Sequence, residues 1–134
     1  VARFAADTQI VFAGAPVSVA GLAALDSHEA PLNAVYAALG RQHEHVHFHD
    51  AGAAVLDNGA WAATLPCLPD EPCDNSDGPA VTPVRAPDGL HFCPAGDEAE
   101  RGVTGDCPVW SSGAYRYGLA LAEPALRSIE AARS

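Results

Sequence analysis

The residues best suited to chemistry stand together in Pro87-Asp88-Gly89-Leu90-His91-Phe92-Cys93-Pro94. An acid and an imidazole three positions apart, with a glycine between them, can place both side chains on one side of a tight turn. An imidazole oriented by a carboxylate takes a proton from a hydroxyl and returns it to a leaving group. A serine needs such a partner, because its own hydroxyl is a poor nucleophile at neutral pH. The same spacing also makes an Asx turn carrying a surface histidine, and spacing alone leaves both readings open.

Other clusters compete for attention. His43, His45, His47 and His49 alternate along the chain, so on a strand they share one face. That pattern suits a metal site or a solvated edge strand, and we read it as the edge strand. Asp70, Glu71, Asp74, Asn75 and Asp77 invite calcium, but they lack the spacing and closing glutamate of an EF-hand and read as an acidic, turn-rich loop. Trp61 and Trp110 line a pocket or pack in the core, core packing being the default. Arg116 reads as a surface residue and Tyr117 as a core residue.

With 134 residues the chain is long enough for one domain and too short for two. It carries 7 Lys plus Arg, all of them Arg, against 17 Asp plus Glu, for a formal charge of −10. Such an acidic surface argues against nucleic acid and is repelled by an acidic membrane. No apolar run approaches the ~20 residues that span a bilayer. Apolar residues make up 49 % but aromatics only 7 %, so a few Val, Leu, Ile, Phe, Tyr and Trp side chains must supply the core. The four cysteines, Cys67, Cys73, Cys93 and Cys107, lie in Pro/Gly-rich segments with no Cys-x-x-Cys pair. They read as disulfides formed in an oxidising, extracytoplasmic compartment rather than as a zinc site. Locality favours Cys67–Cys73 and Cys93–Cys107, the latter closing a loop worth roughly 3 kcal/mol in the chain-entropy model.

The elements that must position these groups are legible in outline. Residues 8–13 form an apolar, β-branched run that predicts a strand of a parallel sheet. Asp26 and Glu29 form a capping pair, Pro31 suits a first helical turn, and Leu32, Val35, Tyr36 and Leu39 make a helical stripe. His45–His49 predicts a second strand, which completes a βαβ unit. Residues 51–87 read as irregular, with at most a short helix or hairpin around Gly52–Leu65. Ser111–Arg133 predicts a helix capped by Ser111 or Ser112, with Tyr115, Leu119, Ala122, Leu126 and Ile129 on its stripe and Pro124 kinking or dividing it.

The Asp88-to-Pro94 segment, followed by Cys107-Pro-Val-Trp-Ser-Ser-Gly-Ala-Tyr-Arg-Tyr-Gly118, resembles the C-terminal part of SGNH/GDSL hydrolases. It is most similar to secreted actinobacterial members and to SGNH domains attached to membrane acyltransferases. The resemblance implies a flavodoxin-like three-layer α/β/α fold with a parallel sheet, with Ile10–Pro16, Asn33–Leu39 and the strand ending at Asp50-Ala-Gly52 as its fourth strand, joining helix and fifth strand. It assigns the acid of a Ser-His-Asp triad to Asp88 and the base to His91, and it calls for no cofactor and no metal. The substrate it implies is an acyl ester or an O-acetylated small molecule or carbohydrate, in the cell envelope or outside the cell. The family's Gly-Asp-Ser block and its oxyanion-hole Gly and Gly-x-Asn-Asp blocks do not occur here. Leu25-Asp26-Ser27-His28 matches the serine block only superficially, and Ser27 reads as a cap or loop residue. The chain holds no Met and opens on Val1. We therefore expect the C-terminal part of one SGNH domain over residues 1–134, with the serine in a preceding N-terminal half that docks on it. The alternative is a non-catalytic SGNH-derived binding or scaffold domain.

Overall fold

The structure is a computed structural model that describes residues 8–17, 28–69, 71, 73, 79–93 and 111–133, side chains at 128, 129 and 131–133 excepted. Asp26, Ser27, Asp70, Asp74, Asn75, Asp77, Cys107 and Trp110 lie outside the described residues, so the expectations placed on them stay at the level of sequence.

The architecture is mixed α/β. Strand β1 (Ile10–Ala13) leads through helix α1 (Glu29–Gln42) to strand β2 (Val46–His49), and the two strands pair in parallel with Ile10 opposite Val46 and Ala13 opposite His49. Helix α1 packs on both strands, stacking Tyr36 on Phe12 with ring centroids 4.5 Å apart. The helix begins three residues beyond the expected cap and carries Pro31 in its first turn, where a missing N–H costs no hydrogen bond. The stripe expected to be buried is only partly covered: Tyr36 and Leu39 are half-buried, whereas Leu32 and Val35 are exposed. Val11 on β1 is exposed as well.

A 3₁₀ turn (Ala51–Val55) follows β2, and then a hairpin of β3 (Leu56–Asp57) and β4 (Ala60–Trp61). Asn58 and Gly59 both have positive φ, 49° and 84°, the backbone a two-residue hairpin loop demands. Strand β5 (Thr64–Pro66) pairs antiparallel with β6 (Val81–Pro83). Prolines can sit in this ribbon because a two-stranded sheet leaves outward-facing positions without ladder bonds. Cys67–Cys73 is a disulfide, as locality predicts. Cys93 is disulfide-bonded too.

The last helix, α2 (Gly113–Arg133), is continuous through Pro124 and packs on the 3₁₀ turn. Pro124 has no N–H to offer the Ala120 carbonyl four residues back. The His49 imidazole supplies the missing donor, with Nε2–H reaching that carbonyl at 2.8 Å. This explains how a mid-helix proline is accommodated without dividing the helix. The face that α2 buries differs from the expected one. Gly113 and Arg116 are buried, while Tyr115, Leu119, Ala122 and Leu126 are exposed. Gly113 is required there, because a Cβ would collide with the Phe92 ring and the Val84 carbonyl.

Arg116 corrects the surface assignment most clearly. Its Nε and Nη2 donate to Glu71 at 2.8 and 2.7 Å, and Nη2 also donates to the Pro66 carbonyl at 2.5 Å. Glu71 accepts the Leu68 N–H as well, so this acid belongs to the interior and not to a solvated acidic loop. Val55, Leu65 and Val84 form the buried cluster, with Ala62, Phe92 and Tyr117 packed against it. That cluster is the floor on which the segment after β6 rests. Among the described residues no helix is long and apolar enough to cross a membrane.

Candidate active site

The segment leaving β6 runs through Val84, Arg85 and Ala86, all buried, before surfacing as the turn Pro87–Gly89. Two backbone bonds close the loop: Ala86 N–H to the His91 carbonyl and Gly89 N–H to the Ala86 carbonyl, both 2.9 Å. Gly89 has φ +73°, a conformation glycine adopts without the steric penalty of a Cβ. Within this loop Asp88 uses both carboxylate oxygens. Oδ1 accepts the N–H groups of Leu90 and His91 at 2.9 and 3.0 Å, and Oδ2 accepts His91 Nδ1–H at 2.5 Å. The two alternatives left open by spacing are thus one object, an Asx turn whose second oxygen grips the imidazole.

The electrostatics follow from these contacts. The His91 hydrogen bond, reinforced by the two amides, lowers the Asp88 carboxyl from 3.8 to about 2, so the acid is ionised throughout the neutral range. A proton held on Nδ1 by a carboxylate puts the ring lone pair on Nε2. The His91 side chain is 53 % exposed and that of Asp88 38 %, which leaves the pair open to a substrate.

Three successive carbonyls of the loop each take a donor. Trp61 Nε1–H reaches Gly89 at 3.2 Å, Arg85 Nη1–H reaches Leu90 at 2.9 Å, and Ala86 N–H takes His91. Trp61 therefore braces the site from β4 and is half-buried against it. Arg85 is 5 % exposed, places its guanidinium over the Phe92 ring at 4.6 Å, and donates Nη2–H to the Val17 carbonyl at 2.7 Å. Burial pushes its guanidinium pKa down, and the nearby Glu29 and Asp88 carboxylates push back.

Val17 belongs to the segment that leaves the carboxyl end of β1, the end of a parallel strand where ligands bind in open α/β sheets. That segment is itself fastened. Asn33 on α1 bonds both the N–H and the carbonyl of Ala15, at 2.8 and 3.1 Å, and Tyr117 donates its hydroxyl to the Gly14 carbonyl at 3.2 Å. Gly52 allows the 3₁₀ turn to approach closely, since a Cβ there would stand 2.6 Å from the Ala15 carbonyl oxygen.

No family model, curated protein or solved structure matches this chain. The site stands on its own geometry. It unites the two predicted residues, Asp88 and His91, and adds Arg85, Trp61, Asn33 and Tyr117 as supports that the sequence did not single out for such a role. A signal for Arg85 existed: a lone cation amid Val81-Thr-Pro-Val-Arg-Ala-Pro87, an otherwise uncharged run.

The histidines in and beside β2 are used differently. The Gln9 amide bridges His45 Nδ1 at 3.1 Å and His47 Nε2 at 2.8 Å, while His49 faces α2. Among the described residues no three His, Cys, Asp or Glu side chains gather to hold a metal ion. Ser111 and Ser112 are fully buried beside Cys93 and β6, and Ser111 Oγ accepts the Cys93 N–H at 2.7 Å, so they belong to the scaffold of the site.

Proposed function

We propose that this chain carries the acid and base of a Ser-His-Asp ester hydrolase or O-acyltransferase of SGNH type, in a flavodoxin-like three-layer setting. The observation that supports it is the 2.5 Å bond from His91 Nδ1 to an Asp88 carboxylate that two amides already hold in place. His91 Nε2 takes the proton of a serine hydroxyl as its oxygen attacks an acyl carbonyl. The alcohol then leaves with that proton, and an acyl-serine remains. Water or a sugar hydroxyl, deprotonated in turn by His91, takes up the acyl group, and the serine oxygen leaves with that proton. Asp88 orients the ring and stabilises its imidazolium form.

In this reading the serine comes from chain N-terminal to Val1 that completes the sheet. The paired strands β1 and β2 favour it, since parallel sheets are normally extended and covered on both faces, yet Val11 lies open here. An extracytoplasmic location and an O-acylated small-molecule or carbohydrate substrate belong to the same proposal, and the Cys67–Cys73 disulfide is compatible with that location.

A fluorophosphonate probe applied to the protein together with its upstream portion tests the reading, because it labels only an activated serine. Labelling that His91→Ala abolishes is the expected result. In the same protein His91→Ala lowers turnover of p-nitrophenyl acetate by at least ~10³-fold. A loss under tenfold removes His91 from the mechanism, and absence of labelling favours a serine-less envelope domain.

A further inference from the structure

Asp88 and His91 lie on an exposed loop, yet proton transfer requires a ring held to a fraction of an ångström. The loop's own bonds set its shape but not its place relative to the rest of the molecule. Among the described residues, the Trp61 and Arg85 side chains reach its carbonyls from outside the turn, and of these two Arg85 also reaches a second loop. Its two Nη atoms span Leu90, immediately before His91, and Val17, beyond the end of β1.

We propose that Arg85 is the positioning residue of the Asp88–His91 pair, its guanidinium fixing the imidazole relative to the segment after β1. The inference rests on the catalytic reading above but is measurable without catalysis. A buried guanidinium bonded to carbonyls is an expensive way to fill space. What it provides that an apolar side chain cannot is a rigid fork, with donors at fixed angles for two carbonyls far apart in sequence. The Phe92 ring beneath it restricts the plane of that fork. The cation also stands near the Asp88 carboxylate. The two segments brought together are the one carrying the base and the one at the carboxyl end of β1. Arg85 thereby registers the base against the edge of the sheet where a substrate would lie.

The test uses the 134-residue chain and solution NMR. The readouts are the downfield His91 Nδ1–H proton and the titration of the Asp88 carboxyl carbon. In Arg85→Gln, with circular dichroism showing the fold retained, the Nδ1–H signal is lost to exchange with water. The Asp88 midpoint rises from about 2 toward 3.8. Arg85→Lys keeps the charge without the fork and restores the signal only in part. Arg127→Lys, a surface control whose partner is Glu123, changes neither readout. A folded Arg85→Gln that keeps both readouts overturns the proposal. Unfolding of both Arg85 variants also overturns it, since the residue then serves the fold and not the site. Asp88→Asn serves as the reference: if it leaves the His91 signal intact, the Asp88–His91 reading itself fails, whatever Arg85 does.

Discussion

Glu71–Arg116 and Asp88–His91 are both acid–base pairs joined by short hydrogen bonds, but one is sealed in the interior and the other stands in water. The side chains of Glu71 and Arg116 are 0 % and 7 % exposed; those of Asp88 and His91 are 38 % and 53 % exposed. The interior pair joins a guanidinium to an acid bonded on both oxygens, and it connects the disulfide loop to α2. The outer pair joins an imidazole to a carboxylate that two amides of the same turn already hold. Burial thus divides their labour. Enclosed charges must be matched and fixed, so they hold structure, whereas a half-exposed imidazole can meet a substrate and exchange protons with it.

If that division holds, substitutions at the two sites fail in opposite assays. The largest effect is expected from Asp88→Asn in the protein joined to the proposed serine-bearing portion. An amide cannot hold the required tautomer, and turnover falls by about 10³- to 10⁴-fold, while the urea midpoint stays near that of the parent. Retained activity would erase the distinction. Next is Arg116→Ala, which strands the Glu71 carboxylate in the interior and lowers stability by about 3–5 kcal/mol in urea unfolding. Pairing Arg116→Met with Glu71→Leu recovers most of that loss, because the apolar replacement leaves no buried charge.

A smaller effect concerns pH. The Asp88 carboxyl titrates below its ordinary value, so its hold on the loop is complete above 3.8 and is lost as pH falls through about 2. The His91 Nδ1–H resonance is expected to persist at pH 4 and vanish near the lower limit; loss well above that range would break the assignment. The smallest effect is set by His49, whose side chain is 21 % exposed and so lies between the two pairs. His49→Ala leaves the Ala120 carbonyl without its donor and costs about 1 kcal/mol, read by thermal unfolding. Pro124→Ala restores the helical N–H and relieves that cost, a double-mutant cycle that isolates the contact.

Much of this was legible from the chain because it is local. The β1–α1–β2 unit follows from an apolar run, a helical stripe and an alternating segment; α2 follows from its period; Cys67–Cys73 follows from proximity. The meeting of Asp88 with His91 is local too, since a three-residue spacing with glycine at the turn constrains both side chains. What escaped is the choice of distant partners. Periodicity puts Tyr115, Leu119, Ala122 and Leu126 on one face of α2 but does not say which face is covered. The described structure covers the side carrying Gly113 and Arg116. Arg116 and Glu71 stand 45 positions apart, and Arg85 and Val17 stand 68 apart, distances over which no sequence period carries information. A lone arginine near small and apolar residues signals a buried cation only once its acceptors are known.

Glu71 also sits inside the ring closed by Cys67 and Cys73. The anion that anchors α2 is thus carried on a segment whose slack is set by a sulfur–sulfur bond. A thiol reductant would lengthen that tether and loosen the mooring of the terminal helix. Through a link of this kind, the redox potential of the surroundings reaches the centre of the molecule.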